Sequence, residues 1–522
     1  MPPSNVWGIK PLNTTKSAIQ TPNAEARAAG VSRRTFLAAS VSAALAVAAA
    51  PRLGFGFGQA DLAALDAMAQ AELVRNKQAS ALELLEACAA RAERINPQIN
   101  GIVTLFLERA RATAKGRLPQ SPLSGVPYLV KDLFGFKGER ETGGSRLLGN
   151  YVSTDTSPAA EAAVKAGMVV FGKTNTSEAG LLPSTESLLL GPVHNPWNLE
   201  NSAGGSSGGA ATAVAAGILP MAHASDAGGS IRIPASLCGV FGLKTSRFRV
   251  PNPDPMEGAP DVEFCLSRSV RDSAMMLSLA EDRRTRAPLA PVGFVSRPAA
   301  QRLKIAFCTE NLYGAEPEPQ VKALTEDTAK LCAALGHEII PVKNPFNGEK
   351  FKETALILWA TAPAWAVGQA RKRRLRPEDV LEPWTLGLAA QLEGKSKEKL
   401  RDAVDYFKQV QRQMEAFMSP YDAWLTPVTF MATQKLGYLA PTVPFDTLLA
   451  RVLDSTSYTL THNAAGTPAM SVPLQWADEG SPVGSQFAAK LGGEATLLSL
   501  AYELQDARPW AGRRPRLNAF AG

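Results

Sequence analysis

The chain contains few of the side chains that metal-dependent and histidine-dependent hydrolases rely on. Its 522 residues include only four histidines and five cysteines. None of them forms an H-x-x-x-H, H-E-x-x-H or C-x-x-C pattern; they are His194, His223, His337 and His462, and Cys88, Cys238, Cys265, Cys308 and Cys332. We therefore expect reduced, packed thiols and no metal site. The small number of histidines also disfavours Ser-His-Asp catalysis. The sequence predicts no metal and no organic cofactor.

The net positive charge is also small outside the N-terminus. The net charge is +7, and residues 1–60 account for +5 of it, because six basic residues there face Glu25 alone. The remaining +2 excludes a general nucleic-acid binder. One basic run, RKRRLR at 371–376, is interpreted as a solvated helix face. We therefore expect no nucleic-acid partner.

The apolar run near the N-terminus is short for a membrane-spanning helix. It covers the 16 residues from Thr35 to Ala50 and follows Arg33 and Arg34 directly. Two arginines before a moderately apolar run predict a twin-arginine export signal, within a signal and flexible N-terminus over residues 1–60. The expected location is periplasmic or extracellular, without stable membrane association after export. An N-terminal anchor or a disordered extension is the alternative.

Helical and strand patterns alternate from residue 61 onwards. Ser80 and Glu83 form a capping box before an apolar-periodic helix, which the Asn96-Pro97 pair is expected to end. Residues 347–419 are predicted to be a helical insertion, and short strands return near the C-terminus. This alternation predicts an α/β fold with one large domain and a mixed β-sheet flanked by helices on both faces.

The segment GMVVFGKT at 167–174 fits the phosphate-loop pattern G-x-x-x-x-G-K-[ST]. A phosphate loop follows a strand and opens a helix. Here Ser157 and Pro158 predict a helix that Gly167 ends, and MVVFG then reads as a buried strand. The order is therefore helix, strand, GKT, and we reject nucleotide binding.

Residues 201–236 contain the strongest chemical signal. Two glycine-serine segments, GGSSGG and DAGGS, flank a helix of small residues. Glycines let a backbone expose a serine hydroxyl and aim several N–H groups at one oxygen. A serine nucleophile also needs a base, and Lys131 ends the apolar strand GVPYLVK. Burial there would favour the neutral amine that a base requires.

These motifs resemble the amidase signature family of Ser-Ser-Lys hydrolases, from about residue 61 to 514. The spacing agrees too, with 75 positions from Lys131 to Ser206 and 24 from Ser206 to Ser230. The matching segments are GVPYLVKD around Lys131, GKTNTSE at 172–178, NPWN at 195–198, GGSSGG at 204–209 and SDAGGSIRIPAS at 225–236. The resemblance predicts an amidase signature domain over residues 61–522.

The resemblance also implies a role for each residue of the site. Ser230 is the expected nucleophile of an acyl-enzyme mechanism, and Lys131 is the base that acts through Ser206, which follows a cis peptide after Gly205. Asp226 and Arg232 are expected to pair and hold the nucleophile loop. Backbone N–H groups are expected to form the oxyanion hole, from Ala227, Gly228, Gly229 and Ser230.

The substrate is less sharply defined by sequence. Segments such as AQAELVRNKQ, GVPYLVKDL and PWAGRRPRL resemble the 6-aminohexanoate-cyclic-dimer hydrolase branch, which favours aliphatic or cyclic amides. A broad acylamidase acting on aryl amides or carbamates is the alternative, and a non-catalytic exported binding protein is a weaker one. A homodimer is left open.

The chain departs from the family pattern at Ser225, Ala227 and LKTS (243–246), without loss of the triad. Pocket residues are expected partly from the helical segment 350–410 and partly from loops near Thr461 to Gly466. His223, a lone histidine in a segment of small residues, is interpreted as packed and not catalytic.

Overall fold

A computed structural model describes residues 59–251 and 260–520 of the chain. The predicted signal and flexible N-terminus cover residues 1–60, of which residues 1–58, including the Arg33-Arg34 pair and the apolar run, lie outside the described residues. Among the residues that the structure describes, no helix combines the length and apolar character needed to cross a bilayer.

The strands and helices alternate along the chain. The strands are β1 Ile102–Leu105, β2 Pro127–Lys131, β3 Val169–Thr174, β4 Glu186–Ser187, β5 Gly191–Pro192, β6 His194–Asn195, β7 Asn198–Ser202, β8 Met221–Asp226, β9 Phe241–Lys244, β10 Val262–Ser267, β11 Lys304–Phe307, β12 Glu338–Pro341, β13 Ala423–Pro427, β14 Ala469–Trp476 and β15 Pro482–Ala488. The helices are α1 Gln59–Ala64, α2 Ala67–Arg75, α3 Ala81–Ile99, α4 Leu107–Lys115, α5 Pro158–Lys165, α6 Gly208–Ala215, α7 Arg232–Cys238, α8 Val270–Ala280, α9 Pro319–Ala334, α10 Gly348–Trp359, α11 Thr361–Lys372, α12 Pro377–Val380, α13 Pro383–Ala390, α14 Lys397–Met418, α15 Phe445–Thr456, α16 Leu460–Ala465 and α17 Glu494–Ala507.

Eight strands form the central sheet in the order β12-β11-β13-β15-β14-β9-β10-β8. β11 runs parallel to β12 and β13, and the other neighbours pair antiparallel. A smaller sheet, in the order β1-β3-β2, contacts the edge strand β8 of the central sheet. At this contact the Lys131 N–H donates to His223 Nδ1 across 3.3 Å. The predicted α/β fold with a mixed sheet flanked by helices is confirmed.

The α3 helix confirms one prediction from the sequence, its N-terminal capping box, and contradicts another, its end. Its capping box is present, with Ser80 accepting from the Glu83 N–H at 3.1 Å and Glu83 accepting from the Ser80 N–H at 2.7 Å. The prediction that Asn96-Pro97 ends the helix is wrong, since the helix continues to Ile99 with Pro97 inside its last turn. Proline there forfeits only one hydrogen bond near the helix end. Asn100, in a left-handed conformation, ends the helix instead.

The GKT segment has the predicted order of a helix followed by a strand. α5 ends at Lys165 and the segment from Val169 to Thr174 forms β3. Lys173 is fully buried, and its ammonium group donates to the carbonyl of Phe134. This lysine therefore serves as a structural tie between two buried segments.

The region 347–419 forms five successive helices, α10 to α14. α14 is amphipathic, and its buried residues recur every three or four positions, as one helix face requires. These residues pack with Phe351 and Leu358 of α10 and with Leu460 of α16. The buried face of α14 consists of Ala403, Phe407, Val410, Met414 and Met418.

Candidate active site

Lys131 ends β2, a strand whose five residues are all buried. Its Nζ lies 2.7 Å from Ser206 Oγ and 3.0 Å from Ser225 Oγ. Burial lowers the pKa of Lys131 to about 7, against the opposing pull of nearby carboxylates, of which Asp261 has the largest effect. A substantial fraction of this lysine is thus neutral near pH 7, in contact with two hydroxyl groups.

Ser206 lies in the glycine-serine segment that precedes α6. The Gly205–Ser206 peptide bond is cis. A side chain at Gly205 would collide with the backbone of Ser184, so only glycine fits there. Ser207, the next residue, donates its hydroxyl hydrogen to the Ser225 carbonyl at 3.2 Å, which fastens the segment to β8. The Ser206 hydroxyl is thereby fixed beside Lys131.

Ser230 lies in the loop between β8 and α7, and it lines the same cavity as Ser206 and Ser225. The loop depends on Gly229, which has a φ of 132°. A Cβ at that position would approach Thr459 Oγ1 to 2.5 Å and the Ile233 side chain to 2.6 Å. The glycine is therefore required both by backbone conformation and by space.

A buried ion pair holds this loop. Arg232 Nη2 lies 2.9 Å from Asp226 Oδ1, and both side chains are fully buried. Burial alone would raise the pKa of Asp226, but the charge and hydrogen bonds of Arg232 lower it well below its usual range. Asn463 donates to the same carboxylate at 2.9 Å. Asp226 therefore stays ionised and acts as the anchor of the loop.

The Asp226 carboxylate accepts a hydrogen bond from one of the four N–H groups that are expected to form the oxyanion hole. The Gly229 N–H donates to Asp226 Oδ1 at 2.7 Å. This N–H is engaged within the loop, so the structure does not offer it to a bound carbonyl. A hole built here rests on the N–H groups of Ala227, Gly228 and Ser230.

The three serines open onto a shared cavity. Apart from the serines, the lining is mostly apolar. Its larger apolar side chains are Leu133, Leu181 and Leu182, Ile233 of α7, Trp359 and Phe407 of the region 347–419, and Leu460 of α16.

Glu178 connects the cavity to the helical insertion. This buried residue precedes Ala179 and Gly180, which line the cavity. Its carboxylate accepts from Ser145 Oγ at 2.7 Å, from the Glu382 N–H at 2.8 Å and from the Thr385 hydroxyl. Burial, assisted by the charge of Glu178, raises the pKa of Glu382 to about 8. The start of α13 is therefore held against the cavity wall.

Several residues of the site have no distinctive signal in the sequence. Ser225, noted only as a departure from the family pattern, is the second hydroxyl bound by Lys131. Asp261 lines the cavity but belongs to no motif. Thr456 and Leu460 line it, next to the segment Thr461–Gly466 near which some of the pocket residues were expected. That segment instead supplies Asn463, which supports Asp226.

His223 is packed beside the site, as the sequence indicated. Its side chain is fully buried, and its Nε2 lies 3.2 Å from a carboxylate oxygen of Glu263. Burial lowers the pKa of His223, so its ring is neutral. Its Nδ1 accepts from the Lys131 N–H. The histidine thus supports the backbone of the lysine.

Comparisons with known proteins agree with this geometry. The sequence profile of the amidase family matches residues 83–498. The putative amidase AmiC of Mycobacterium tuberculosis is 38% identical over 453 residues, covering 86% of this chain and 95% of its own. A 6-aminohexanoate-cyclic-dimer hydrolase of Pseudomonas sp. is 35% identical, covering 87% and 96%.

Solved structures give the same picture. The structure of a 6-aminohexanoate cyclic dimer hydrolase complexed with substrate superposes with a TM-score of 0.81 at 32% identity, over 87% of this chain and 99% of that one. A bacterial aryl acylamidase superposes with a TM-score of 0.77 at 25% identity, over 86% and 99%. With a family profile that spans most of the chain, the protein belongs to the amidase signature family and is an amide-hydrolysing enzyme.

Proposed function

We propose that this enzyme cleaves carboxylic amides through an acyl-enzyme on Ser230, with Ser206 and Lys131 as its proton relay. The observation that carries the proposal is the contact of Lys131 Nζ with Ser206 Oγ at 2.7 Å, next to a cavity that Ser206 and Ser230 both line. A buried amine with a pKa of about 7 can accept and return a proton near neutral pH.

In the first step, Ser230 Oγ attacks the amide carbon and its proton passes to Ser206, whose own proton moves to neutral Lys131. The carbonyl oxygen gains the negative charge, which the N–H groups of Ala227, Gly228 and Ser230 stabilise. The C–N bond then breaks, and the Lys131 proton returns through Ser206 to the leaving amine. Water attacks the ester by the same relay, which releases the acid and frees Ser230.

The relay makes activity depend on pH. Lys131 must be neutral to accept a proton, and burial lowers its pKa to about 7. Protonation below that pH removes the base, so kcat/KM is expected to fall by about tenfold for each pH unit below roughly 7. The measurement is kcat/KM for an uncharged amide between pH 5 and 9. A profile that stays flat down to pH 5 would rule out this role for Lys131.

For the substrate, we propose aliphatic or cyclic amides such as 6-aminohexanoate cyclic dimer. Aliphatic side chains, among them Leu133, Leu181 and Leu182, form much of the cavity wall. The similarity to two cyclic-dimer hydrolases, one by sequence and one by structure, supports the same class. Trp359 and Phe407 favour the second candidate, a broad acylamidase for aryl amides or carbamates, because aromatic rings pack well against one another.

A substrate panel separates these classes. Purified enzyme is incubated with 6-aminohexanoate cyclic dimer, a linear aliphatic amide, an anilide and an aryl carbamate, and the products are measured by mass spectrometry. We expect the two aliphatic substrates to have the highest kcat/KM. Preference for the anilide or the carbamate supports the acylamidase instead. If no substrate is cleaved and Ser230 does not react with a fluorophosphonate, a non-catalytic binding protein is favoured.

A further inference from the structure

We propose that Asp261 forms a subsite that binds an N–H donor of the substrate away from the scissile bond. The donor is an ammonium group or the N–H of a second amide. This inference rests on the proposed amidase function and defines its substrates more narrowly: amides that carry a second nitrogen within reach of Asp261.

The strand register places Asp261 beside the nucleophile loop. Asp261 directly precedes β10, whose first residue, Val262, pairs with Asp226 at the end of antiparallel β8. The residue before Val262 therefore lies alongside the residue after Asp226, which is Ala227. Ala227 begins the segment that leads to Ser230. The carboxyl group is thus on the same cavity wall as the reacting serine.

Asp261 is chemically distinct within the cavity. Among the described residues that line it, Asp261 alone has an ionisable side chain. The other polar side chains are hydroxyl groups, and the rest of the lining is apolar or backbone. An ionised carboxylate has two oxygens that only accept hydrogen bonds, with about four lone-pair sites. It can therefore keep a protein contact and still accept from a substrate.

The charges around Asp261 favour a cationic or N–H partner. Burial, together with the charge of Glu263, raises the pKa of Asp261 to about 7. Lys131 and Lys244 oppose this effect, and Asp226 adds to it. A substrate ammonium group would stabilise the ionised carboxylate, whereas a substrate carboxylate would be repelled. The subsite is therefore selective for donors.

Three isosteric amides test the proposal. Hexanoylcadaverine carries an ammonium group on its amine side, 5-aminopentanoyl hexylamide carries one on its acyl side, and N-hexylhexanamide carries none. Wild type is compared with Asp261→Asn. The control is Asp272→Asn, which removes a buried carboxyl of α8 that accepts from the Ala67 and Met68 N–H groups and does not line the cavity.

The measured quantity is the ratio of kcat/KM for each ammonium substrate to that for N-hexylhexanamide. Asp261→Asn is expected to lower one of the two ratios by roughly thirty-fold, as for the loss of a hydrogen bond between charged groups. The effect should fall mainly on KM, and Asp272→Asn should leave the ratios within about threefold. The substrate whose ratio falls shows which side of the scissile bond faces Asp261. Unchanged ratios in Asp261→Asn would overturn the proposal.

A wild-type measurement covers the case in which Asp261→Asn does not fold. Both substrates use Lys131, so its titration cancels in the ratio, and the remaining pH dependence reports Asp261. The affected ratio should fall several-fold from pH 8 to pH 6 as the carboxylate is protonated. A constant ratio would contradict the subsite. Failure to cleave any of the three amides at any pH would instead count against the amidase function itself.

Discussion

Replacing Ser230 with alanine is expected to reduce turnover of the best amide by about 10⁴- to 10⁶-fold. The side chain lies in the cavity beside Ser206, and it supplies the oxygen that forms the acyl-enzyme in the proposed mechanism. The loop should be preserved, since its conformation depends on Gly229 and the Asp226–Arg232 pair. Steady-state kinetics measures the loss, and thermal unfolding verifies the fold.

Ser236→Ala provides a matched control for this variant. Ser236 is also a buried serine close in sequence, but its hydroxyl accepts from the Gly484 N–H at 2.8 Å within the sheet-helix packing. We expect it to retain turnover within about tenfold, with a modest loss of stability from one hydrogen bond. A fluorophosphonate should label wild type and Ser236→Ala but not Ser230→Ala. Labelling of Ser230→Ala at another serine, with turnover retained, would refute Ser230 as the nucleophile.

The second large effect is expected for Lys131→Met, which should reduce kcat/KM by about 10³- to 10⁵-fold. Methionine fills much of the same buried space but cannot accept or return a proton. The hydroxyls of Ser206 and Ser225 lose their shared partner, so the relay has no terminal base. The measurement is kcat/KM for the same amide, with single-turnover kinetics to separate chemistry from binding.

Lys244→Met is the corresponding control. Lys244 is also fully buried, and burial lowers its pKa to about 7 as well. Its Nζ, however, donates to the backbone carbonyl of Thr245 and not to the serines. Its loss should therefore lower stability more than turnover. If both lysine variants lost activity equally, a buried neutral lysine as such would be the requirement, and the contact with Ser206 would not explain the effect.

The polar centre of the site could be predicted because its residues belong to segments with strict backbone requirements. Gly205 and Gly229 permit conformations and close contacts that other residues exclude, so the glycine-serine pattern directly indicates the serines that line the cavity. Lys131 could be identified because histidine is scarce and GVPYLVKD matches the family motif; burial in a strand would not have selected it, since Lys173 and Lys244 are also buried in strands and make structural contacts. Such signals are local and remain visible in sequence.

The cavity wall could be predicted only as a region. Trp359 and Phe407 lie within the segment 350–410 from which cavity-lining residues were expected. Yet an amphipathic helix shows the same periodicity whether its apolar face meets the core or a cavity, so individual residues could not be chosen. The position of Asp261 in the cavity depends on the pairing of β10 with β8, which is a contact between segments distant in sequence. The use of the Gly229 N–H by Asp226 likewise depends on loop geometry.

The anchoring of α13 through Glu178 does not involve the residues of the proposed proton relay. Insertion residues such as Trp359 and Phe407 form part of the cavity wall, while Lys131, Ser206 and Ser230 all precede the insertion in the chain. The Glu178 carboxylate, hydrogen-bonded to the Glu382 N–H and the Thr385 hydroxyl, and the Trp384 indole N–H, which donates to the Leu181 carbonyl, together hold α13 in place. Substitutions elsewhere in residues 347–419 are therefore expected to change the shape of the cavity without touching the residues of the proposed proton relay.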